Sequence, residues 1–221
     1  MRALATRLLS ERAFGVDILE VGYRKAAGIT LSRHLAAWDV CSRNALFLTG
    51  NGVSDDHSGK NWRTGTKNFL TWAWAPTTSE PDLLAALAAG RAFFGDLARF
   101  AGTIDLWVDG ACPMGSVSLS DAPARAVTAT VTGIPAGGTV RLLQIVVDYA
   151  SPDVPPDYVQ VTTLPADDFA TGPATVICAN SRSSFVRVEV YDSGGLAVAL
   201  SNPVWLLRTS PPEGVPAPRV C

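Results

Sequence analysis

The chain has 221 residues, room for one large domain or two modest ones, and its 48% hydrophobic content supports a packed core rather than disorder. Eighteen basic and 20 acidic side chains leave a formal charge of -2, so composition gives no electrostatic reason to expect nucleic acid or an anionic membrane as partner. No apolar run approaches the roughly 18 residues of a membrane span, and "MRALATRLLSERAFG" lacks the apolar core and small-residue cleavage site of a secretory signal, which makes the cytoplasm the default expectation.

Taken in chain order, Leu4, Leu8 and Leu9 fall near one face of a helix, and "VDILEVGY" reads as a buried strand after a turn at Gly15. Leu31, Leu35, Trp38 and Cys41 then recur at helical spacing before "ALFLTG" resumes strand character. This alternation is α/β grammar. A further helix starts at "SEPD", where Ser79 caps it with Asp82 three residues on, Leu83, Leu84 and Leu87 carry its apolar face, and Gly90 closes it.

Beyond Ala101 the pattern changes. "TIDLWVD", "AVTATVTG", "TVRLLQIVVDY", "YVQVTT", "ATVICA", "SFVRVEVYD", "GLAVAL" and "PVWLL" are short runs divided by Gly, Pro, Asp and Ser, as in an antiparallel sandwich. Val127, Ala129 and Val131 alternate with threonines, which predicts one buried and one solvated face. The expected organisation is an α/β segment over 1–100, a β-sandwich over 101–208 and a loose proline-rich tail over 209–221. Cys41, Cys112, Cys178 and Cys221 are widely spaced without a CxxC pair, so the spacing selects no disulfide and favours mostly unpaired thiols.

Chemistry concentrates in "NGVSDDHSGKNW", residues 51–62, which follows a predicted strand. In an extended chain Asp55 and His57 project to one side, and carboxylate and imidazole are both ligands for zinc, manganese or iron. Two ligands do not complete a tight site. Lys60 and Arg63 offer positive charge for a small anionic substrate, or are simply solvated, and Glu20 is a carboxylate in an otherwise apolar strand. His34 reads as a half-buried helix-face histidine with a local hydrogen bond. Six residues rather than four separate Gly52 from Gly59, which argues against a P-loop, and no GxSxG elbow marks a serine hydrolase.

"LEVGY", "WDVCSRNALFLTGNGVSDDHSG", "PDLLAALAAGRAFF" and "SNPVWLL", in that order, resemble the closing portion of the PHP-domain metallohydrolases, in the branch that carries a β domain after its phosphoesterase domain. The resemblance implies the α/β fragment of a distorted PHP-type barrel followed by an antiparallel β-sandwich. It also implies metal-dependent hydrolysis of a phosphoester, with Asp55 and His57 as the family's last Asp-x-His ligand pair and Glu20 near the site. The family's opening His-x-His strand and its further histidines have no counterpart in this sequence. Three expectations follow: a hydrolase that is incomplete as this isolated chain, a site completed by another chain through open sheet edges, or a non-catalytic β-sandwich binding or structural module with a vestigial PHP segment.

Overall fold

The leucine spacing at the start of the chain folds as helix α1 (Arg2–Ser10), which buries Ala5 and Leu8 and turns Leu4 to solvent. The structure, a computed structural model, describes residues 2–23, 25, 26, 29–56, 69–149 and 151–221. A left-handed turn through Arg12, Ala13 and Phe14 leads to strand β1 (Ile18–Gly22). A short hairpin of β2 (Lys25–Ala26) and β3 (Ile29–Thr30) precedes helix α2 (Leu31–Arg43). α2 presents the predicted stripe: Trp38 and Cys41 are fully buried and Leu31 and Leu35 half-buried, in a cluster with Val21, Phe69, Phe94 and Leu200.

The run "ALFLTG" is not a strand over its whole length. Ala45 takes a left-handed φ of 55°, and the strand β4 (Thr49–Gly52) begins only at its end, with the sequence TGNG. β4 lies parallel to β1, with Glu20 opposite Asn51. Close approach dictates its glycines: a Cβ on Gly50 would sit 2.6 Å from the Trp38 ring, and one on Gly52 2.7 Å from the Leu70 carbonyl oxygen.

Next come β5 (Phe69–Ala73), α3 (Glu80–Ala88) and β6 (Ala92–Asp96). The start and stop of α3 follow the sequence, with the Ser79 hydroxyl accepting from the Asp82 backbone N–H and Gly90 at φ 70°. Its expected apolar face is corrected, because Leu83 and Leu84 are exposed and the buried contact is Ala86. A small residue lets the helix lie close to β5 and to the turn at Ala217–Arg219.

The remaining strands are β7 (Ile104–Val108), β8 (Cys112–Pro113), β9 (Val117–Leu119), β10 (Ala124–Val131), β11 (Thr139–Val146), β12 (Val159–Pro165), β13 (Ala174–Ala179), β14 (Ser184–Tyr191), β15 (Ala197–Ser201) and β16 (Val204–Leu207). A four-stranded antiparallel sheet has the order β13-β10-β7-β8. An eight-stranded sheet runs β12-β11-β14-β15-β6-β5, with β16 beside β14 and β9 parallel to β16. β5 and β6 thus belong to the same sheet as the strands beyond residue 101. The fold is an α/β piece with a two-stranded parallel sheet, joined to an antiparallel sheet and to a larger one that is antiparallel apart from β9. Among the described residues β12 and β5 are the outer strands of the large sheet's path.

The apolar core lies between the two larger sheets, where Ile104, Leu106 and Val108 of β7 and Val127, Ala129 and Val131 of β10 meet Val186, Val188 and Val190 of β14. β14 is buried on both faces because α2 covers the other side. There Arg187 pairs with Glu189 at 2.7 Å and reaches across to Asp39 of α2, with its guanidinium 5.4 Å from the centre of the Trp38 ring. Burial raises the Asp39 carboxyl above its ordinary range, against the pull of Arg187.

β14 also divides its partners. Its first half pairs with β16 and its second with β15, and at the fork the Val188 N–H is met by the Ser201 hydroxyl at 2.9 Å. The adjacent Asn202, fully buried, continues the pairing with its side chain: Oδ1 accepts from Gly50 N at 2.7 Å, and Nδ2 donates to Gly50 O at 2.9 Å and Ala92 O at 2.7 Å. Thr71 adds a second such tie, exchanging hydrogen bonds with the Gly52 backbone at 2.9 and 3.1 Å. β4 is therefore fixed to the large sheet through side chains.

The loose tail expected over 209–221 is also corrected. Cys221 is bonded to Cys112, and Arg219, 2% exposed, donates to Gly115 O at 2.8 Å and to the Thr49 hydroxyl at 2.6 Å. The spacing of the cysteines carried no sign of this pairing, because it joins segments 109 residues apart. Cys41 and Cys178 are buried free thiols, which burial pushes up to about 11. Trp205 lies in the core, donating to Ser42 O at 2.9 Å.

Candidate functional site

The parallel pair β1 and β4 ends in two short segments that come together, the position where open α/β folds hold their ligands. Tyr23, just past β1, donates its hydroxyl to Oδ2 of Asp55 at 2.5 Å. The tyrosine is 7% exposed, and its ring lies 5.7 Å from the His34 ring on α2. His34 Nδ1 is 3.0 Å from the Glu20 carbonyl oxygen, which ties α2 to β1, a contact between elements where a local hydrogen bond was expected. Its Nε2 is buried without a hydrogen-bond partner among the described residues.

The hydrogen bond to Asp55 is the largest influence on Tyr23, followed by burial and the charges of Asp55 and Glu20, and together they push its pKa up to about 12. The phenol therefore stays protonated at physiological pH and acts as a donor. Asp55 sits at φ 49°, in the left-handed region, and the expected pairing of Asp55 with His57 falls partly outside the described residues. Glu20 is exposed on β1, which resolves the cost of a carboxylate in an apolar strand by leaving it wet. His57, Lys60 and Arg63 lie outside the described residues. Among the described residues no three His, Cys, Asp or Glu side chains gather as a metal ion would require.

Sequence reading brought Asp55 and Glu20 to this end of the fold and missed Tyr23, which it took as the last residue of a strand. A tyrosine directly after a Gly that ends a strand was the available signal. A second concave region lies on the β domain, a cavity of about 130 Å³ lined by Gln144, Tyr158, Gln160, Arg182 and their neighbours. The Arg182 guanidinium stands 4.4 Å from the centre of the Tyr158 ring. Gln144 is held there by bonds from Nε2 to Ala179 O at 2.7 Å and to the Ser184 hydroxyl at 2.9 Å.

No protein-family model matches the chain, and no curated protein does. Among solved structures it is similar to the PmoD soluble domain from Methylocystis sp. ATCC 49242 (Rockwell), at 14% identity and a TM-score of 0.32, over 48% of this chain and 90% of that one. A likeness that loose carries no argument about fold or activity. None of the described helices is long and apolar enough to cross a membrane.

Proposed function

We propose that this chain is a non-catalytic β-sandwich module for binding or structural support, with its PHP-like α/β segment retained as a buttress. The observation that carries the reading is how that segment's polar groups are used. Asp39 pairs with Arg187 of the sheet, Gly50 with Asn202 and Gly52 with Thr71, so β4 and α2 brace one face of the large sheet. The Asp55 carboxylate accepts from Tyr23. The groove beside Tyr158 and Arg182 is the place for a small polar ligand.

The second reading is the metal-dependent phosphoester hydrolase, supported by "SDDH" in the loop after a parallel strand. Asp55 and His57 would hold zinc, manganese or iron, and further ligands would come from another chain across an open sheet edge. Such a metal would activate water for attack on phosphorus. Assay of the whole chain with a phosphomonoester in the presence of each of these metals separates the two. The module reading expects no turnover that depends on Asp55, whereas turnover abolished by Asp55→Asn would establish the hydrolase.

A further inference from the structure

We infer that the Cys112–Cys221 bond is a site of thiol–disulfide exchange that holds residues 209–221 closed as a strap, and that a dithiol reductant opens it. The strap is drawn over a cleft whose other walls come from Arg12, residues 44–48 and Tyr149. Pro211, Pro212, Glu213 and Gly214 close a cavity of about 140 Å³ against Asn44 and Tyr149. A neighbouring cavity of about 340 Å³ runs on between Phe47 and Val215. Arg12 and Glu213 meet at 3.0 Å and line both cavities, so a single ion pair between exposed side chains bridges them.

The closed position is costly in three places. Among the described residues, Asn44 Oδ1 and the Tyr149 hydroxyl are buried there without hydrogen-bond partners, a condition native interiors rarely tolerate. Ala45 and Tyr149 both hold left-handed φ values, 55° and 42°. Further along the strap the Arg219 guanidinium is buried against Gly115 O, Thr49 Oγ1 and the Trp205 ring, with no ion pair among the described residues. Gly90 keeps that slot open, since a Cβ there would lie 2.4 Å from Arg219 Nη1. Burial pulls the Arg219 pKa down to about 10, which leaves it charged at neutral pH, so water would serve it better than this slot does. An open strap would hydrate the Asn44, Tyr149 and Arg219 side chains.

The covalent bond offsets this by keeping the segment in place across a sequence separation of 109 residues. Cys221 is exposed and Cys112 buried, so an incoming thiolate meets the Cys221 sulfur first. The S–S bond then breaks with Cys112 leaving as a thiolate, and a mixed disulfide forms on Cys221. The second thiol of the reductant displaces Cys221 and closes the reductant's own disulfide. Two electrons pass to the protein, and both cysteine sulfurs take up protons.

Hydrogen exchange followed by mass spectrometry on the whole chain, oxidised and then with dithiothreitol, tests this. Amides in 211–220 should exchange roughly tenfold faster or more after reduction while those of β10, β11 and β14 keep their protection, and reoxidation should restore the slow pattern. Cys221→Ser without reductant should reproduce the reduced pattern. Unchanged exchange in 211–220 after complete reduction would overturn the inference, because the bond would not be what closes the strap. Equal acceleration in the core strands would overturn it too, by making the bond a staple of the whole fold.

Discussion

Replacing Asn202 by alanine removes the side chain through which the large sheet holds β4. Three hydrogen bonds of 2.7, 2.9 and 2.7 Å disappear at a fully buried position. Net contributions of about 0.5–1.5 kcal/mol per bond give a loss of roughly 1.5–4.5 kcal/mol, and leaving the Gly50 N–H buried without an acceptor moves the figure to the upper part of that range. The expected destabilisation is about 3–4.5 kcal/mol, a large share of the ~5–15 kcal/mol that holds a typical domain together. Urea unfolding at neutral pH measures it from the shift in midpoint at constant slope. Asn202→Asp keeps the acceptor for Gly50 N but sets a carboxylate against the carbonyls of Gly50 and Ala92, so it should cost at least as much. A loss below about 1 kcal/mol in both variants would refute the claim that Asn202 joins the two parts of the fold.

Arg187→Met leaves Asp39 and Glu189 buried without their shared cation and should cost about 3–5 kcal/mol by the same unfolding assay. Tyr23→Phe should cost about 1 kcal/mol at neutral pH. Because the folded phenol is raised to about 12 from an unfolded value of about 10, that stabilisation is complete below pH ~10 and is lost as pH rises through about 12, so the gap between wild type and variant should close there. Cys41 and Cys178, with thiols pushed up to about 11, should fail to react with a chromogenic disulfide reagent in the folded protein and react fully in denaturant. Thiol release in the native state without added reductant would contradict their burial.

The strands beyond residue 101 were readable because their side chains alternate. In β10, Val127, Ala129 and Val131 face the core while Thr128 and Thr130 are half-exposed, as a pleated strand with one packed face requires. The cap of α3 was equally local, since Ser79, Asp82 and Gly90 act within one helix. β4 was misplaced for the opposite reason. TGNG carries no apolar signal, and what makes it a strand is supplied from afar by Asn202, Thr71 and the Trp38 ring above Gly50. The exposed leucines of α3 follow from close packing at Ala86, which periodicity does not weigh. At the candidate site the motif singled out Asp55 as a metal ligand, while its left-handed backbone and its bond to Tyr23 are tertiary facts that no motif carries.

The central claim, that the α/β segment braces the sheet rather than holding catalytic metal, is tested most directly by metal content. Chelator-free protein of known oligomeric state, wild type and Asp55→Asn, would be compared by inductively coupled plasma mass spectrometry. The account predicts zinc, manganese and iron well below one per chain and the same in both proteins. Near-stoichiometric metal in the wild type that is lost in Asp55→Asn would contradict it.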